Sequence, residues 1–139
     1  LNPAGIADFD GDGELEIAVI VTPHIGGTLK LLRPGGATRM TTVASQWGFS
    51  NHAIGSRNQG LSAALDWNGD GVTDLLVPTD SRDEVVAVSF RGGQYRELAR
   101  YPLGGSIFGN FELRRQESAI PSVHIPLAGG DVVVLRPGG

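Results

Sequence analysis

The chain has 139 residues, no cysteine, 21 glycines, 8 prolines and a formal charge of −4. A single folded unit of that length buries a sizeable core, the charge argues against nonspecific nucleic-acid binding, and the absence of thiols rules out disulfides and thiolate metal or nucleophile chemistry. No apolar run approaches the ~18 residues of a membrane span, and the many turn-forming residues, without the low hydrophobicity of disorder, favour short strands on tight connections.

Taken in chain order, short aliphatic runs predict strands over about 5 to 9, 15 to 22, 28 to 33 and 38 to 45. Between the first two lies Asp8-Phe9-Asp10-Gly11-Asp12-Gly13-Glu14-Leu15-Glu16, which sets oxygen-bearing side chains at positions one, three, five and nine of a nine-residue loop. Carboxylates crowded this way repel one another, and the arrangement makes sense around a hard cation such as Ca²⁺. The candidate ligands are Asp8, Asp10, Asp12 and Glu16, with the main-chain carbonyl of Glu14 at position seven. Glycines at 11 and 13 permit the sharp turn that brings alternate side chains to one centre.

A second unit repeats the plan, with strands expected over about 61 to 67, 73 to 78, 84 to 91 and 94 to 101. Its loop, Asp66-Trp67-Asn68-Gly69-Asp70-Gly71-Val72-Thr73-Asp74, starts 58 residues after the first and nominates Asp66, Asn68, Asp70, Asp74 and the carbonyl of Val72 for a second ion. A third unit offers strands over about 108 to 115, 119 to 126 and 131 to 136. Counting back from its final Gly-Gly puts Phe111, Leu113 and Arg115 where acids would be needed, so no third site is expected. Asp-Gly pairs also make ordinary hairpin turns, but a turn does not require four oxygen donors in register, twice. An EF-hand loop is twelve residues long, ends on an acid and lies between helices. The twelfth positions here are Val19 and Val77, inside apolar strand-like runs.

The closing segments also recur, as Leu29 to Gly36, Val86 to Gly93 and Val132 to Gly139, each ending in Gly-Gly after an arginine at 33, 91 or 136. A period of this size with several strands per unit points to propeller blades. The chain thereby resembles the FG-GAP or VCBS repeat family, the blade unit of integrin-alpha-like β-propellers, through the pattern Asp-x-Asp-x-Asp-Gly-x-x-(Asp/Glu) between an apolar and an aliphatic strand. The likeness covers most of residues 5 to 93, and 108 to 139 by strand and turn pattern, while Trp47-Gly48, Phe108-Gly109 and Pro3-Ala4-Gly5 are only distant echoes of the segments that name the family. It implies two Ca²⁺ sites, each between the first two strands of a blade, on the ligands already named.

The expected fold is all-β: part of one β-propeller spanning 1–139, with blade repeats at approximately 5–47, 61–103 and 108–139, two of them four-stranded and the third incomplete. Fewer than three full units cannot close a ring, so a protein partner or remaining blades are expected at open edges near residues 5 to 9 and 131 to 136. Without an initiating methionine, the chain reads as a mature or trimmed piece of something longer. The expected function is a calcium-binding, extracytoplasmic binding or assembly scaffold with no catalytic residue of its own. The alternative is the propeller portion of a secreted enzyme, for example one acting on polysaccharide, with catalysis elsewhere.

Other residues carry less. His24, His52 and His124 lack metal-ligand spacing, and Ser81, His52 and Asp83 form a triad only on paper, with no Gly-x-Ser-x-Gly elbow. Trp67, like Phe9, holds position two of its loop and is expected to pack between blades. Trp47 precedes the longest irregular stretch, 48 to 60, where a ligand could be met. Arg33, Arg91 and Arg136 are expected to brace the Gly-Gly hairpin turns.

Overall fold

A computed structural model describes residues 2–21, 27–35, 39–49, 62–115 and 120–137, residues 2 and 3 by backbone alone. The strands form three antiparallel meanders. The first is β1 (Asn2–Ala7), β2 (Glu16–Val21), β3 (Thr28–Gly35) and β4 (Arg39–Trp47); the second is β5 (Ala63–Leu65), β6 (Asp74–Pro78), β7 (Glu84–Ser89) and β8 (Arg96–Pro102). The third is β9 (Glu112–Arg114), β10 (Ser122–Pro126) and β11 (Val132–Leu135). This is a partial propeller of two four-stranded blades and a three-stranded one, as the repeat predicts.

Strand limits differ from expectation for a local reason. The β1–β2 ladder stops at the Ala7↔Glu16 pair, because Asp8 turns its carboxylate onto the amides of Gly11, Asp12 and Gly13 and starts the loop. The β5–β6 ladder stops likewise at Leu65↔Asp74, where Asp66 takes the amides of Gly69 and Gly71. The Gly-Gly connection of the second blade is a short 3₁₀ turn, Arg91–Gly93, with both glycines at positive φ. Gly36, Gly138 and Gly139 of the other two connections lie outside the described residues.

The second blade is buried on both faces. Leu75, Val77, Val86 and Val88 pack against Ala18, Ile20, Leu29 and Leu31 of the first blade, whereas Leu76, Val85 and Ala87 pack against Val123 and Ile125 of the third. Alternate residues of β6 and β7 thus serve opposite cores, which is why both strands read as unbroken apolar runs. The third blade shows the complementary pattern: Val133 and Leu135 pack inward while Val132 and Val134 are exposed. Phe9 enters the first interblade core and meets Phe90 edge to face at 6.3 Å. Trp67 enters the second, and its Nε1–H donates to the Tyr101 hydroxyl at 2.9 Å.

Backbone stitches join consecutive blades. Phe49 bridges Thr79, and the Asp80 N–H donates to the Gly48 carbonyl at 3.0 Å. Ile107 bridges Leu127 one junction later, and the Ala128 N–H donates to the Ser106 carbonyl at 2.9 Å. Gly5 lies at the junction of the first two blades: a Cβ there would sit 3.2 Å from Phe9 Cζ and 3.6 Å from Ala64 Cβ. β1 and β11 are edge strands, so the open sheets are compatible with further blades. Among the described residues no helix is long and apolar enough to cross a membrane.

Candidate metal centre

Both loops leave one strand and enter the next, and neither is flanked by a helix. In the first, Asp8 Oδ1 accepts from the amides of Gly11 (2.9 Å) and Asp12 (3.2 Å) while Oδ2 accepts from Gly13 (2.8 Å). Asp10 Oδ1 accepts from the Asp12 amide at 3.1 Å, and Asp12 Oδ1 from that of Glu14 at 2.8 Å. Each carboxylate at position one, three or five therefore holds an amide further along, and the backbone coils so that alternate side chains turn inward. Such coiling needs left-handed residues, supplied by Gly11 at φ 83° and Gly13 at φ 89°.

Position for position the second loop repeats the scheme. Asp66 accepts from Gly69 and Gly71, both at 2.9 Å, Asn68 from Asp70 at 3.3 Å, and Asp70 from Val72 at 2.9 Å. Glu14 and Val72, nominated for their carbonyls, stand at position seven of the two coils, tied in by their amides.

Position nine closes each cluster from beneath. Glu16 and Asp74 open the second strand of their blades and are fully buried. Glu16 Oε1 accepts from the amides of Phe9 (2.8 Å) and Asp10 (3.1 Å), and Asp74 Oδ2 from that of Trp67 (2.8 Å). Their second oxygens, Glu16 Oε2 and Asp74 Oδ1, are buried and have no hydrogen-bond partner among the described residues. Burial pushes the Glu16 carboxyl above its ordinary range and that of Asp74 up to about 6. By contrast the exposed Asp12 and the half-buried Asp70 are held low, chiefly by the amides of Glu14 and Val72.

One oxygen from each of Asp8, Asp10, Asp12 and Glu16 can be chosen so that all lie within 4.8 Å of one another, and the same holds for Asp66, Asp70 and Asp74. A cation held at roughly 2.3–2.6 Å by opposed oxygens spans about that distance. The donor set is hard and anionic, and its deepest members each carry an oxygen that none of the described residues satisfies. The residues present fit a divalent cation.

Two cations of the protein itself stand beside the loops. Arg33, on β3, places Nη2 on Asp10 Oδ2 and 3.5 Å from Asp12 Oδ2. Arg91, just after β7, places Nη1 3.4 Å from Asp70 Oδ2. These contacts correct the expectation that the recurrent arginines brace the Gly-Gly turns: both reach the acidic loop of their own blade. Arg136 is exposed. The recurrence was visible in the sequence, but only the pairing of β2 with β3, and of β6 with β7, shows that the third strand ends beside the loop.

The loops also touch each other's blades. The Gly92 N–H donates to the Asp10 carbonyl at 3.0 Å, and a Cβ on Gly11 would lie 3.1 Å from Val72 Cγ2. In the third blade the corresponding connection follows β9, at 115–121, so Phe111 and Leu113 are not loop positions: both pack into the second interblade core. Counting back from Gly-Gly erred because this blade is more compact than the other two. Part of its connection, 116–119, lies outside the described residues.

Of the remaining candidates, His24 and His52 lie outside the described residues. His124 is on β10 with Nε2 3.0 Å from Ser122 Oγ. The Ser81 hydroxyl donates directly to Asp83 Oδ1. Trp47 is 62% exposed and, with Tyr95, Glu84 and Arg100, lines a cleft of about 360 Å³ between the first two blades. Most of the connection that follows it is outside the described residues.

A protein-family model described as FG-GAP-like repeat matches residues 8–77, from the first loop through the second loop into β6. The match spans just over half of the chain. No curated protein matches it significantly.

Proposed function

The chain belongs to the FG-GAP-like repeat family, and on that premise we propose that it is a calcium-stabilised stretch of β-propeller serving as an extracytoplasmic binding or assembly scaffold. The observation that carries the calcium reading is the pair of buried, unpartnered oxygens, Glu16 Oε2 and Asp74 Oδ1, at the same position of two loops one period apart. A buried carboxylate with an unsatisfied oxygen costs about 1–3 kcal/mol or more when left alone, and a bound dication removes that cost. Asp8, Asp10, Asp12 and Glu16 would hold one ion, and Asp66, Asn68, Asp70 and Asp74 the other, with the position-seven carbonyls of Glu14 and Val72 completing the sets.

The ion's role in this reading is structural. Each loop links the first two strands of a blade, and the first is bonded through Asp10 to the second blade's Gly92. Capture of the ion at one loop therefore tightens an interblade contact as well as a hairpin. Loops of this size bind weakly, with Kd of order 10⁻⁴ to 10⁻³ M, which suits millimolar extracytoplasmic calcium. At about 1 mM free ion and a Kd near 10⁻⁴ M, each site stabilises the fold by about 1.4 kcal/mol. Two sites raise Tm by roughly 6–12 °C for a chain of this size. Melting in 1 mM calcium against excess EGTA measures this difference. Equal melting temperatures in the two buffers would overturn the reading.

A further inference from the structure

We propose that Arg33 and Arg91 set the affinity of the two loops, acting as resident cations that hold the ligand carboxylates in register without metal and weaken capture of the divalent ion. This rests on the calcium reading above and adds a role that the ligand set alone does not contain. The two arginines are 58 residues apart, the same step that separates Asp8 from Asp66, so each unit carries its own. Arg33 bridges the carboxylates at positions three and five of the first loop, and Arg91 meets position five of the second. Each therefore engages oxygens of the very residues a dication would use. Their number tracks the local charge: four carboxylates and a doubly engaged arginine in the first loop, three carboxylates and a singly engaged arginine in the second.

Charge makes the two effects oppose each other. Without metal, a guanidinium beside crowded carboxylates offsets their repulsion and keeps Asp10 and Asp12 turned toward the centre. With metal, a single positive charge at roughly 6 Å from a dication in a water-exposed site opposes binding by a factor of about ten. Arg33 exerts more of both effects than Arg91, because its side chain is 37% exposed and Asp10 is almost buried, whereas the Arg91 side chain is 62% exposed.

The test is calcium titration by calorimetry, with CaCl₂ as the only ligand, together with melting in EGTA, on the protein and its R33Q, R33K and R91Q variants. Expected for R33Q is binding at the first site tighter by about five- to tenfold, with a lower Tm in EGTA. R33K, which keeps the charge, stays near the parent affinity. R91Q tightens only the second site, by about twofold, and, lying on an exposed turn, it reports even if R33Q folds poorly. Replacing a purely structural arginine would instead lower both affinity and stability. Unchanged or weaker binding in both Gln variants while the parent binds calcium would overturn this proposal alone. No calcium binding by the parent would overturn the calcium reading and this proposal with it.

Discussion

Glu16 and Asp74 are where the physical demands on single side chains conflict most. Each is fully buried and leaves one carboxylate oxygen unmatched among the described residues. In the folded, metal-free protein burial lifts the Asp74 carboxyl to about 6, well above the roughly 3.9 of an unfolded chain. The folded state then binds the extra proton between about pH 4 and 6, so metal-free stability rises as pH falls through that window and is flat below it. For Asp74 the gain is at most about 3 kcal/mol. We predict that Tm in EGTA increases from pH 7.5 to 5, and that D74N removes most of the increase while also removing the calcium response of the second loop. In calcium the trend reverses, because protons then compete with the ion. A scan of Tm against pH in both buffers checks the sign. Neither the orphaned oxygens nor the arginine partners could be read from the letters: acid spacing showed which side chains converge, but burial beneath the loop is set by strands that come from elsewhere in the chain.

Among the elements, the loops were the most legible because their chemistry is local. An aspartate that accepts amides three and five residues on, with glycine wherever φ must be positive, is written within nine consecutive residues. What local pattern could not show is that the two loops meet. Gly11 and Gly13 have nearly the same positive φ, but only Gly11 faces Val72 of the neighbouring loop. A methyl at either position meets left-handed strain of about 1–2 kcal/mol; at Gly11 it also crowds Val72. We predict that G11A lowers stability by about 2–3 kcal/mol and G13A by about 1–2 kcal/mol, as read by urea denaturation. If the two variants are equally stable, the loops are not in contact.

At the scale of the molecule, the propeller plan followed from the 58-residue repeat, and the eleven strands among the described residues fall where the aliphatic runs predict. The sandwiching of the second blade was implicit in its runs: Leu75-Leu76-Val77 and Val85-Val86-Ala87-Val88 have no polar face to give to water. The third blade was read less well because it lacks the acidic signature that anchors the count in the other two. Burial on both sides predicts that amides of β6 and β7 exchange slowest in a hydrogen-exchange mass spectrum, and that those of β9 and β11 exchange sooner. Uniform exchange across the three sheets would contradict the packing described.

The stitches at the two junctions, Gly48 to Asp80 and Ser106 to Ala128, are short backbone bonds in equivalent places, joined by Gly92 to Asp10 at the first and Phe108 to Pro126 at the second. Seams of this kind are met in series when the chain is stretched. A pull applied to its two ends in an optical trap therefore strips an outer unit first and leaves the doubly covered middle one until last. Rupture would come as a short staircase of steps rather than one cooperative break.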